Sequence, residues 1–308
     1  MGDWKMRLKS TITLAFAACA SMAAAQNGPG ADMTGGSGPY PAMSEVDPTL
    51  PGHVIFRPSA LPKATGQPLG VLVWGNGGCS DNPAPHGAHL LEIASHGYLV
   101  IASGYEPEEA KRRAEARPAP QEGQFPPSPT SAQDMIDAID WAVAQNGLAG
   151  SKYHGLIDQS AIAAAGHSCG GIQALEVGAD PRVQTVIGNN TGILPDDDDK
   201  IPGMKLDKTH LDKLRLPILY VQGGEEDIAY ANGMDDFRRI GHIPAAIVNL
   251  PVGHGGTFSQ PFGGAAASIS VDWLDWRLRG DEASGRTFAG ENCRLCLVSD
   301  WDYESKGF

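Results

Sequence analysis

Gly166-His167-Ser168-Cys169-Gly170-Gly171 follows directly on the small-residue run Ala161-Ile162-Ala163-Ala164-Ala165. The run is short, apolar and bounded upstream by the polar Asp158-Gln159-Ser160, which is the pattern of a strand covered on both faces in a parallel sheet. Downstream, Ile172, Ala174, Leu175 and Val177 outline one face of a short helix. Ser168 therefore stands at a strand-to-helix turn inside a Gly-x-Ser-x-Gly frame, where Gly166 and Gly170 let backbones pass without a Cβ between them. Such a frame also arises by chance in a chain with 39 glycines, so the reading depends on partners elsewhere.

Upstream, Leu69-Gly70-Val71-Leu72-Val73-Trp74 is a strong apolar strand that runs into Gly75-Asn76-Gly77-Gly78. A helix is expected from His86 to Ser95, with Leu90, Leu91, Ile93 and Ala94 inward and Gly97 as its stop, and then a strand over Tyr98–Ala102. Strand, helix, strand in this order indicates the α/β class, with a mostly parallel central sheet and helices on both faces. His53–Phe56 reads as an edge strand, and Glu106–Pro129, rich in charge and proline, as an exposed excursion. Thr130 and Gln133 suggest a capping box for a helix that ends at Gly147. Further strands are expected over Val183–Ile187, Pro217–Val221 and Ala245–Leu250. Helices are expected near Thr209–Leu214, Tyr230–Arg239 and Ala267–Arg279, the last placing Trp273 and Trp276 in the core.

The chain of 308 residues, 42% hydrophobic and 19% charged, is long enough to bury one large core. Its formal net charge of −13 opposes binding to a nucleic-acid backbone or an anionic membrane surface. Lys5, Arg7 and Lys9 precede the apolar run Ile12–Ala20, and Ala23-Ala24-Ala25 offers a small-x-small cleavage site, so residues 1–25 read as a secretory signal. The apolar run is too short to span a bilayer. Phe16-Ala17-Ala18-Cys19 resembles a lipobox only loosely, which makes anchoring at Cys19 the weaker alternative. Residues 26–51, rich in Gly, Pro and Ser, are expected to form a flexible leader, and 52–308 the catalytic domain. An exported protein, secreted or periplasmic, keeps Cys79, Cys169, Cys293 and Cys296 in an oxidising compartment, where disulfides are the default.

A serine hydroxyl needs a base within hydrogen-bond reach and an acid to orient that base. Asp227, in the loop Gly223-Gly224-Glu225-Glu226-Asp227 after the strand ending at Gln222, supplies the acid, with Glu225 and Glu226 as competitors. His254, in Val252-Gly253-His254-Gly255-Gly256 after the last apolar strand, supplies the base; of the other eight histidines, none lies beyond that strand. The oxyanion formed on attack requires two N–H donors, assigned to Cys169 and to Gly78 in the loop Gly75–Cys79, with one residue of latitude in that loop. Trp74, Tyr105, His167 and Asn190 are candidates for substrate contact. Asp196-Asp197-Asp198-Asp199-Lys200 lacks the spacing of a calcium loop and reads as a solvated charged turn, so no metal is expected. Asn189-Asn190-Thr191 forms a glycosylation sequon.

The Gly-rich loop, Gly166-His167-Ser168-Cys169-Gly170, the late acid and Gly253-His254-Gly255 together resemble the α/β-hydrolase superfamily over roughly residues 51–280. Leu91-Glu92-Ile93-Ala94-Ser95-His96-Gly97-Tyr98 looks like its dienelactone-hydrolase and polyester-hydrolase (cutinase-like) branch. That resemblance implies a cofactor-free serine hydrolase with Ser168, Asp227 and His254 as triad. A dienelactone hydrolase would carry Cys at the position of Ser168, which favours a general carboxylic ester hydrolase acting on a small-molecule or polymer-borne ester. Amide hydrolysis on the same triad is the alternative, and a non-catalytic binding protein on this fold the more remote one. Cys79 and Cys169 adjoin the two oxyanion elements, which must converge, so a Cys79–Cys169 bond is expected, with Cys293 paired to Cys296. Two free, buried thiols at 79 and 169 are the competing outcome.

Overall fold

The computed structural model describes residues 35–61, 66–118, 128–195, 201, 204 and 206–308. The expected secretory segment with Cys19 and the acidic run 196–200 lie outside the described residues. In chain order the described elements are β1 (Ala42–Glu45), β2 (His53–Pro58), β3 (Leu69–Gly75), α1 (Gly87–Ser95), β4 (Tyr98–Ser103), α2 (Pro107–Ala116) and α3 (Ala132–Gly147). There follow β5 (Ile157–His167), α4 (Cys169–Val177), β6 (Val183–Asn189), β7 (Ile218–Gln222), α5 (Tyr230–Arg239), β8 (Ala245–Asn249), α6 (Gly264–Arg279), α7 (Glu282–Gly285) and β9 (Asp302–Lys306).

The nine strands form one sheet in the order β1-β2-β4-β3-β5-β6-β7-β8-β9. β4, β3, β5, β6, β7 and β8 run parallel, while β1, β2 and β9 add antiparallel strands at the two sides. Alternation along each strand assigns side chains to two cores. In β3, Val71 and Val73 face α3, α4 and α5 with Met135, Leu175 and Phe237; Leu72 and Trp74 face α1 and α6 with Leu90, Ile93 and Trp273. Helices thus cover both faces, as the βαβ pattern requires. Trp273 is fully buried and donates from Nε1 to Thr185 Oγ1 of β6 at 2.7 Å. No helix among the described residues is long and apolar enough to cross a membrane.

Several boundaries differ from expectation. Of the expected leader 26–51, the described residues 35–51 include a strand: Ala42–Glu45 pairs with β2 through Ala42↔Pro58 to Glu45↔Ile55, and Glu45 accepts from Arg57 Nε at 2.9 Å. β2 consequently lies inside the sheet, not at its edge. Within the excursion 106–129, Pro107 at a first-turn position and Glu108 and Glu109 behind it start α2, which packs Ala110 and sets Arg113 over Tyr105. The cap of α3 is Ser131, whose N–H and hydroxyl both donate to the Asp134 carboxylate, one residue along from the Thr130/Gln133 reading. Residues 208–213 form a 3₁₀ turn where a helix was expected. β9 carries the polar sequence Asp-Tyr-Glu-Ser-Lys and is positioned by β8 alone.

Both expected disulfides are present, Cys79–Cys169 with a Cα–Cα separation of 5.1 Å and Cys293–Cys296 with 5.0 Å.

Candidate active site

The crossover from β3 runs one way to β4, whereas β5 lies on the other side of β3. The crevice at the carboxyl ends of β3 and β5 is therefore the topological switch point of the sheet, the place where open α/β sheets bind ligands. The loop Gly75–Cys79 leaves β3 there, and Ser168 leaves β5. Ser168 has φ 54° and ψ −121°, a left-handed conformation that aims its side chain off the strand end. The turn is possible because a Cβ at Gly170 would lie 2.0 Å from the carbonyl carbon of Gly75 and one at Gly166 2.2 Å from the Gly170 oxygen. Only glycine allows this packing of β3, β5 and the start of α4. Gly170 N–H then donates to Asn76 O at 3.1 Å, tying the turn to the first loop.

Asp227 and His254 reach Ser168 from β7 and β8. The Ser168 hydroxyl donates to His254 Nε2 at 2.9 Å, and His254 Nδ1–H donates to Asp227 Oδ1 at 2.6 Å. The hydroxyl, the ring and the carboxylate are thus in one hydrogen-bonded line, with the imidazole in the tautomer that leaves Nε2 free to accept. Asp227 is buried and holds three further donors: Ala229 N at 2.9 Å, Gly223 N at 3.0 Å and Asn190 Nδ2 at 2.8 Å. Burial opposes its ionisation, but the hydrogen bonds from His254, Ala229, Asn190 and Gly223 outweigh that and hold the carboxyl below its ordinary value. Glu225 and Glu226 are exposed on the same loop, whereas Asp227 alone of the three points inward.

Cys169 is the first residue of α4, so its N–H has no acceptor within the helix. In the facing loop, Cys79 N–H donates to Asn76 O and Ser80 N–H to Gly77 O, which commits both to a 3₁₀ turn around Gly78, at φ 63°. Asn76 fixes the loop from beneath, donating to Ser80 O at 2.8 Å and Ser103 O at 2.6 Å. The Cys79–Cys169 bond joins the two segments directly.

A cleft of about 430 Å³ opens beside Ser168 and His254. Ile172, Leu194, Ile201 and Ile228 give it apolar walls, and Asn190 and Asn232 polar ones. Ile228, directly after Asp227, is 81% exposed, a large apolar side chain held at the mouth.

The four candidates for substrate contact divide. Asn190 does line the cleft, but its amide is spent on Asp227 and on Gly253 O at 3.0 Å. Trp74 is fully buried and packs on His86, His89 and Phe258, because its place in β3 puts it on the same face as Leu72. Tyr105 lies under the Arg113 guanidinium, 4.2 Å from its ring centre, and does not border the cleft. His167 turns away from the cleft towards Phe258 and His86. The Asn189 sequon is closed, with Asn189 buried at the end of β6 and Thr191 buried just beyond it. Asn190 as a partner of the acid and His86 behind His167 were not foreseen; nothing in the sequence fixes which way either side chain points. Among the described residues, no group of three or more His, Cys, Asp or Glu side chains could hold a metal ion.

Neither a protein-family model nor a curated protein sequence matches the chain.

Proposed function

We propose that the chain is an exported α/β-hydrolase, similar to the dienelactone-hydrolase and polyester-hydrolase branch, that cleaves carboxylic esters through an acyl-enzyme. The observation that carries this reading is the continuous line Ser168 Oγ, His254 Nε2, His254 Nδ1, Asp227 Oδ1, with contacts of 2.9 and 2.6 Å. Ser168 Oγ attacks the ester carbonyl carbon as its proton passes to His254 Nε2. The carbonyl oxygen becomes an oxyanion facing the N–H groups of Cys169 and Gly78. Asp227 stabilises the imidazolium without taking its proton. Collapse expels the alcohol, which leaves with the proton from His254, and water repeats the sequence to release the acid.

The apolar walls of the cleft suit the acyl or alcohol portion of a neutral ester, and the exposed Glu225 and Glu226 on the loop that carries Asp227 disfavour an anionic one. Two disulfides support residence in an oxidising compartment. The test is a set of p-nitrophenyl esters of increasing acyl length, assayed with wild type and Ser168→Ala, together with labelling by a fluorophosphonate. Ester turnover and labelling in wild type, both lost in a folded Ser168→Ala, are expected. A wild type that neither turns over any ester nor takes up the probe would refute the reading.

A further inference from the structure

His167, the variable residue between Gly166 and Ser168, is in ring contact with His254, His86 and Phe258 at centroid distances of 5.2, 5.1 and 4.8 Å. Its two nitrogens face different elements. Nε2 lies 2.9 Å from the main-chain oxygen of His254, and Nδ1 lies 3.2 Å from His86 Nε2. A carbonyl only accepts, so His167 Nε2 carries the hydrogen. Burial pushes the ring down to about 4, so at neutral pH it is uncharged and its Nδ1 is bare. His86 Nε2 must then be the donor in the contact between the rings. The result is a directional chain, His86 Nε2–H to His167 Nδ1 and His167 Nε2–H to His254 O.

The same ring also abuts the oxyanion loop. A Cβ on Gly77 would sit 2.4 Å from His167 Nδ1, so the loop rests against the imidazole edge with no space between. On the other side of the base, Asn190 Nδ2 holds Gly253 O at 3.0 Å. The consecutive carbonyls of Gly253 and His254 are therefore each fixed by a side chain, Asn190 from the β6 end and His167 from the β5 end. His167 is the only one of the pair that also touches the loop carrying Gly78.

We infer that His167, backed by His86, is a positioning residue. It couples the main chain of the base to the oxyanion loop and so sets the approach of His254 Nε2 to Ser168 Oγ, without touching substrate. The inference rests on the serine-hydrolase reading of the site. It is distinct from a substrate-contact role, because a contact residue would act on binding and a positioning residue on turnover.

The experiment compares wild type with His167→Phe, which keeps an aromatic ring but no hydrogen bond, His167→Gln, which offers an amide donor and acceptor, and His86→Phe. In His167→Phe, kcat for a p-nitrophenyl ester is expected to fall about tenfold to a hundredfold with KM changed less than about twofold. His167→Gln should regain part of that loss. In ¹⁵N-histidine NMR at neutral pH, His167 and His86 should both be protonated at Nε2 only, and the Nδ1 proton shared by His254 and Asp227 should broaden or disappear in His167→Phe. Unchanged kcat, a rise confined to KM, or a His167 hydrogen on Nδ1 would each overturn the inference. Should His167→Phe not fold, His86→Phe, which removes the donor to His167 Nδ1, carries the test: the proton between His254 and Asp227 should broaden and kcat should fall, and unchanged values would overturn the inference. A wild type without ester turnover would refute the hydrolase reading instead, while persistence of the His254 Nδ1 proton in His167→Phe would still decide against positioning.

Discussion

Mild acid is expected to unfold the protein through its buried histidines. Burial pushes His86 and His89 down to about 3 and His167 to about 4, from an ordinary 6.5. The charged or titratable groups around them are one another, His254, Asp227 and Glu92. The unfolded chain takes up these protons near pH 6.5 and the folded chain does not, so the stability is complete above pH 6.5 and drains away as the pH falls towards 4. Each histidine costs about 1.4 kcal/mol per pH unit, so at about pH 4.5 the trio has withdrawn about 8 kcal/mol. Asp236 acts in the opposite sense. Burial raises its carboxyl to about 6 despite Lys208, so it holds its proton in the fold first. It returns about 2 kcal/mol over the same interval. The net loss of about 6 kcal/mol is comparable to the whole stability of an ordinary domain, about 5–15 kcal/mol. Urea unfolding followed from neutral pH down to about pH 4.5 measures this as a net uptake of about two protons on unfolding. His89→Leu, at a site with no exposure, should lower that uptake by one. A stability that stays flat between pH 6.5 and 4.5, or a His89→Leu profile with the wild-type slope, would rule out the buried histidines as the cause.

Asp227→Asn places an amide hydrogen against either Ala229 N–H or Gly223 N–H, and it favours the wrong His254 tautomer. A kcat lower by about 10⁴ is expected, whereas near-normal kcat beside an inactive Glu225→Gln or Glu226→Gln would reassign the acid. Cys79→Ser opens a cross-link of sequence separation 90, so a loss of about 2–5 kcal/mol in denaturant unfolding is expected. It should also lower kcat more than it changes KM, measured on the same ester. Gly170→Ala should cost about 3 kcal/mol or prevent folding, because its Cβ meets the Gly75 backbone. Gly78→Ala, at positive φ but in open space, should cost only about 1–2 kcal/mol in the same unfolding assay. Ile228→Ser at the cleft mouth should raise KM for apolar esters about fivefold with kcat held, read from Michaelis curves.

What the sequence disclosed follows from what each segment buries. β3, β4, β5, β7 and β8 are covered on both faces and read as continuous apolar runs, so their presence and order were legible. β9 and β1 lie at the two edges, bury little and draw their register from one neighbour, and neither shows in hydrophobicity. α2 was hidden by its charge, since it buries only Ala110, although Pro107 and the two glutamates after it are start signals. Trp74 is a candidate for substrate contact in the sequence, yet its even spacing from Leu72 places it in the core under α1 and α6. Chain order sufficed to anticipate that Asp227 and His254 meet at Ser168, whereas the contacts of Asn190, His86 and His167 depend on side-chain direction, which no residue pattern encodes.

The sheet register explains why so scattered a set converges. His167 pairs with Asn189, Asn189 with Val221, and Val221 with Val248, so β5, β6, β7 and β8 end in one row. Ser168 and Asn190 follow at once, while Asp227 and His254 each lie six residues beyond that row. With strands about 4.8 Å apart, β8 stands roughly 14 Å from β5, too far for an imidazole to bridge from its own strand end. The loops after β7 and β8 must therefore lean back together over β6. Gly223 and Gly253 make that possible, since a Cβ on Gly223 would lie 2.1 Å from the Gly253 oxygen. Asn190, standing under the crossing on β6, holds Asp227 with one bond and Gly253 with another. Asp227 and His254 are consequently carried to Ser168 as one braced unit, and a change of register at β6 would displace both.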